Sequence, residues 1–96
     1  MPYVLKHAES AELFACTLVN RYDLPYFGVK DWEDEEAAVR EKAGFLEARG
    51  VGESSSWEVV PVTEMQLKLA NVKLKNDPGR RVFLDEDGTL RLEKRG

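Results

Sequence analysis

Thr63-Glu64-Met65-Gln66-Leu67-Lys68-Leu69-Ala70-Asn71-Val72-Lys73-Leu74-Lys75 reads as a helix with two apolar stripes instead of one. At about 100° per residue, Met65, Leu69 and Val72 fall on one side, and Leu67, Ala70 and Leu74 fall on roughly the opposite side. Glu64, Lys68, Asn71 and Lys75 fill one gap between the stripes, and Gln66 with Lys73 fills the other. Thr63 and Gln66 have the spacing of a capping box, and Asn76-Asp77-Pro78-Gly79 stops the helix. Such a helix needs two apolar neighbours. Either the chain covers both stripes, with a first helix or a terminal hairpin over the second, or one stripe meets a second subunit.

On the C-terminal side, Arg81 to Asp85 and Thr89 to Glu93 alternate as two strands of a closing hairpin. Gly88 suits the left-handed position of its Glu86-Asp87-Gly88 loop, and Val82, Leu84, Leu90 and Leu92 share one face. On the N-terminal side, Trp57 to Val62 is a short strand whose Pro61 removes a ladder donor and places it near an edge. The run Gly50 to Ser56 is a surface loop.

Before that loop, Glu33, Asp34, Glu35 and Glu36 stand where carboxylates favour the start of a helix, which should run to about Arg49. Val39, Ala43 and Leu46 form its expected main stripe, widened by Ala38 and Phe45, and Gly50 fits the left-handed C-terminal position. The N-terminal third reads as strands. Tyr3 to Ala8 and Leu13 to Val19 flank the polar break Glu9 to Glu12, and a hairpin with a loop of two or four residues puts Tyr3, Leu5 and His7 on a face with Phe14, Cys16 and Leu18, whereas a three-residue loop reverses the parity. Neither face is fully polar, so a sheet covered on both sides is expected. Asp23-Leu24-Pro25 turns the chain into a third strand, Tyr26 to Lys30.

The predicted order is βββαβαββ over one domain, residues 1–96. This is an α+β fold, with mixed α/β as the alternative, in which a mixed sheet of five or six strands carries two helices. A chain of 96 residues, 43% hydrophobic, has room for one core. With 18 acidic and 14 basic side chains the net charge is -4, which disfavours a surface built mainly for phosphate backbones. Cys16 is the only cysteine, excluding an intrachain disulfide or a cysteine-cluster zinc site and fitting a reducing, cytoplasmic setting. The N-terminus has no basic region followed by an apolar run, and no stretch is long enough to cross a bilayer, so no membrane partner is expected.

The candidate chemistry is sparse. Cys16 and His7 share a strand face, but their neighbours on it are Leu5, Phe14 and Leu18, which favours an inert core thiol. Asp85-Glu86-Asp87-Gly88 has the composition of a calcium loop, yet the EF-hand frame would place Phe83 at the first ligand position and Lys94 at the last. Carboxylates at Asp31 to Glu36 read as a solvated, dipole-favoured helix start. No catalytic, cofactor or metal residue is assigned.

Charge is asymmetric: residues 1–56 hold 6 basic and 11 acidic side chains, net -5, and residues 57–96 hold 8 and 7, net +1. Lys73, Lys75, Arg80 and Arg81 are therefore candidate phosphate contacts, although Lys73 lies on the other side of the helix from Lys68 and Lys75. Tyr22, Tyr26, Phe27 and Trp32 cluster around the third strand, as core or as the lining of a small-ligand groove, with core favoured. The leading expectation is a small non-enzymatic cytoplasmic interaction domain that forms a homodimer through Met65, Leu69 and Val72, or through the opposite stripe of Leu67, Ala70 and Leu74, while the other stripe packs on the sheet. A small-ligand binder or enzyme at the aromatic third strand, and a weak nucleic-acid binder around Lys73 and Arg81, are the alternatives. On this ranking single-stranded DNA at low ionic strength should not retain the protein; clear salt-dependent retention would reverse it.

Overall fold

Val4 and Leu5 are consecutive residues of a strand, so their side chains point to opposite faces, and neither has any solvent exposure. The architecture follows from that pair. The computed structural model describes residues 1–94. Its elements in chain order are β1 (Tyr3–His7), β2 (Ala15–Val19), β3 (Pro25–Val29), β4 (Asp31–Trp32), α1 (Glu35–Ala48), a 3-10 turn (Ser54–Ser56), β5 (Trp57–Pro61), α2 (Glu64–Leu74), β6 (Arg80–Leu84) and β7 (Leu90–Lys94).

Strand β1 is the middle strand of three, antiparallel to β5 along its length and to β4 at Tyr3 and Val4. Its Leu5 face carries α1: Leu5, Phe14, Trp32, Ala38 and Leu46 make one core cluster. Its Val4 face carries α2: Val4, Leu13, Val29, Val62, Ala70, Leu74, Val82 and Leu84 make the other. The pairs β2–β3 and β6–β7 are antiparallel hairpins. Residues 11–14 tie the three small sheets together. Phe14 N–H donates to Leu5 O at 2.9 Å, Leu13 N–H to Val82 O at 2.9 Å, Leu84 N–H to Ala11 O at 3.0 Å, and Lys30 N–H to Phe14 O at 3.1 Å.

The helix ends are set locally. Asp34 Oδ1 accepts from Ala37 N–H at 2.7 Å, and Glu35 and Glu36 lie in the first turn of α1, where the unpaired amides favour negative charge. At its other end Gly50, φ 75°, lets Val51 N–H return to Leu46 O while Gly50 N–H reaches Glu47 O. Helix α2 begins in the expected capping box, with Gln66 N–H on Thr63 Oγ1 and Thr63 N–H on Gln66 Oε1. It ends where Lys75 and Asn76 take left-handed φ values of 52° and 55°.

The fold is α+β, but the strand arrangement differs from the sequence reading. There are seven strands in three small sheets among the described residues, and every pairing is antiparallel, in place of one mixed sheet of five or six. The expected first hairpin shrinks to a single bridge, Lys6 to Leu13, because β5 and β4 occupy β1 and β2 turns away to pair with β3. The facing survives: Leu5 shares a cluster with Phe14, and Val4 shares one with Leu13.

In α1 the buried side chains are Ala38 and Leu46, while Val39 is 61% exposed and Ala43 is exposed. The helix is turned by aromatic packing. Phe45 meets Trp32 and Phe14 edge-on at 5.4 and 5.6 Å, and Lys42 on the same side reaches Trp57 O with its ammonium at 2.8 Å.

One clamp holds α2 against β3. The outward N–H groups of Val29 and Phe27 donate to Asn71 Oδ1 at 2.8 Å and Asn76 Oδ1 at 2.6 Å. Gly28 between them is required by close approach, since a Cβ there would lie 3.0 Å from Asn71 Oδ1 and 2.8 Å from the Tyr26 ring. Val29 is 1% exposed, so its amide has no water to fall back on. Asn71→Ala should therefore cost about 1–3 kcal/mol in chemical denaturation, with accelerated hydrogen exchange at Val29; exchange no faster than in the parent would contradict the clamp.

Candidate functional site

Helix α2 spends one stripe on the core and leaves the other bare. Ala70 and Leu74 are fully buried and Leu67 is half-buried, whereas Met65, Leu69 and Val72 are 63%, 44% and 58% exposed. The two polar gaps separate the stripes as packing surfaces. On one side Asn71 holds β3; on the other, Gln66 Nε2 reaches Gly88 O in the β6–β7 turn at 3.4 Å and Arg80 Nη1 donates to Lys73 O at 3.2 Å. Thus α2 is wedged between the two hairpins with its third side outward. Lys68 and Lys75 are exposed beside the bare stripe.

The four candidate phosphate contacts are divided by this packing. Besides its bond to Lys73 O, Arg80 pairs with Asp77 through Nε at 3.5 Å. Arg81 pairs with Glu12 at 3.7 Å and lies 5.7 Å from the centre of the Phe83 ring, which Arg91 covers at 4.5 Å. Lys75 is exposed and Lys73 half-buried. Two of the four cations are thus already engaged with carboxylates of the chain.

Cys16 packs, half-buried, against the Leu5 cluster. His7 serves the turn that follows β1: its Nδ1 accepts from Glu9 N–H at 3.2 Å and Ser10 N–H at 3.3 Å, and its ring meets Trp57 edge-on at 5.0 Å. An imidazole whose Nδ1 is an acceptor for backbone amides is fixed by the turn. In the last hairpin, Asp87 Oδ1 accepts from Thr89 N–H at 2.9 Å, and this bond, with help from the Thr89 hydroxyl, holds the Asp87 carboxyl below its ordinary range. Among the described residues no three His, Cys, Asp or Glu side chains converge as a metal site.

Concavities among the described residues include a pocket and a groove. An open pocket of about 370 Å³ is lined by Met1, Pro2, Asp31, Glu33, Glu64 and Leu67. A shallower groove of about 150 Å³ lies on β3 and is lined by Thr17, Pro25, Tyr26, Phe27, Asn76 and Pro78. The aromatics divide between core and surface: Trp32 is buried, Tyr26 and Phe27 are half-buried, and Tyr22 is exposed under the Arg21 guanidinium. Asp31 is half-buried, and burial pushes its carboxyl above the ordinary range; Lys30 opposes the shift and Glu33 adds to it.

No family model matches the chain, and no curated protein and no solved structure matches it. Among the described residues no helix is long and apolar enough to cross a membrane.

The sign of the Asp31 shift sets a pH test. A carboxyl raised in the folded state favours the folded state while protonated, and that advantage is lost as pH rises through the folded-state value. Asp31→Asn should then melt at a higher temperature than the parent at pH 7, with the gap closing as pH falls below the ordinary carboxylate range. A pH-independent gap, or a lower melting point at pH 7, would contradict this account.

Proposed function

We propose that this chain is a small interaction domain, not a catalyst, that self-associates through the outward face of α2, with Met65, Leu69 and Val72 as the contact residues. The observation that carries the reading is the bare stripe itself, three large apolar side chains on one face of one helix, each 44% exposed or more. A contiguous apolar face of this kind is what interaction sites present. A second copy is the simplest partner, because a two-fold axis matches the patch to itself.

Magnitude bears on how tight such a dimer is. Six half-exposed apolar side chains supply on the order of 10 kcal/mol, which is close to the cost of joining two molecules. The dimer is thus weak and concentration-dependent. A free Cys16 thiol suits a cytoplasmic location.

The groove on β3 supports a second reading, a small apolar or aromatic ligand stacked beside Tyr26 and Pro25. Engagement of Arg80 and Arg81 within the chain leaves the nucleic-acid reading less support than either.

Leu69→Glu tests the α2 face. The new carboxylate stands four residues before Lys73, an arrangement that supports a helix, so the variant should fold like the parent. Light scattering on the parent at about 100 µM, well above the weak-affinity range, should give a mass above 10.9 kDa that falls in the variant. A parent that stays monomeric, or a variant of equal mass, would sink the proposal.

A further inference from the structure

Among the described residues, most strand edges carry some guard against pairing with another chain. On β3, Pro25 has no N–H, and Phe27 and Val29 donate theirs to Asn76 and Asn71. On the outer edge of β5, Trp57 N–H bonds Ser54 O, Trp57 O accepts from Lys42, and Pro61 has no donor. Strand β7 carries Arg91, Glu93 and Lys94 among its five residues. These are the devices by which sheets avoid pairing with other chains.

Strand β2 has none of them. Among the described strands, Ala15–Val19 alone contains neither a charged residue nor a proline. Its outward groups follow from the ladder. Val29 and Phe27 point their N–H groups away from β2, and they stand opposite Ala15 and Thr17, so Ala15, Thr17 and Val19 point their own N–H and C=O groups away from β3. Among the described residues no hydrogen bond of the chain reaches them. The clamp to α2 lies on the other edge of the hairpin, so this edge is separate from the α2 face.

We infer that β2 is a strand-addition site whose occupant is β2 of a second copy, paired antiparallel about a two-fold axis at Thr17. The strand is complementary to itself. In that register Thr17 faces Thr17 of the other copy and Ala15 faces Val19, so no charges are opposed and a Thr-Thr pair sits at the centre. All three outward residues then exchange both of their backbone bonds, which joins two hairpins into a four-stranded sheet. Val19, 63% exposed, gains a neighbour there.

The test uses the whole chain with the α2 face silenced by Leu69→Glu. Mass is measured against concentration for Leu69→Glu alone, with Thr17→Pro added, and with Thr17→Lys or Thr17→Glu added. Proline removes an outward N–H and leaves the bonds to β3 in place. Leu69→Glu alone should still exceed the monomer mass, and Thr17→Pro and Thr17→Lys should each abolish the excess. An equimolar mixture of the Thr17→Lys and Thr17→Glu chains should restore it, because opposite charges then meet on the axis. Masses unchanged by Thr17→Pro and Thr17→Lys, or no recovery on mixing, would overturn the inference. The α2 reading fails separately, when the parent and Leu69→Glu have equal mass.

Discussion

The structure depends on the complete burial of two neighbouring side chains, Val4 and Leu5, on the two faces of β1. A strand with apolar residues on both faces must be covered twice, and the chain has two helices to do it. Helix α1 takes the Leu5 face and α2 takes the Val4 face. Once the helices lie on opposite sides of a strand, neither is free to cover the other. The second stripe of α2 is bare for that reason. The β6–β7 hairpin approaches the helix from the flank, through Gln66 and Arg80, and stops short of the outer stripe.

Much of this was legible in the sequence, because it rested on local chemistry. The capping box at Thr63, the left-handed Gly50 and Gly88, the last hairpin and the facing of Leu5 with Phe14 all follow from residues close together in the chain or from a period of two. What was not legible depended on partners far away. Nothing in Tyr3–His7 says that its full-length neighbour is Trp57–Pro61 and not the strand that comes next. Helix α1 shows the same limit: its apolar pattern centres on Val39, but the aromatic group of Trp32, Phe14 and Phe45 turns the helix toward Ala38.

The candidate site divides along the same line. The two stripes of α2 are periodicity and were readable; which one the core would take was not. Asn71 and Asn76 read as spacer and helix stop, and only the position of β3 makes them a clamp. Arg80 and Arg81 read as a basic patch until Asp77 and Glu12 are seen beside them. These two arginines settle contacts within the chain.

The pairing of β1 with β5 has a temporal side. Leu5 stands opposite Val59, 54 positions later in the chain, while β2–β3 and β6–β7 join neighbours across short turns. Hairpins close quickly, and long loops close only after their entropy is met by many contacts at once. Strand β1 is therefore held open until the 54 positions that separate Leu5 from Val59 have followed it. Both buried residues on which the two cores are founded wait, in that interval, in water.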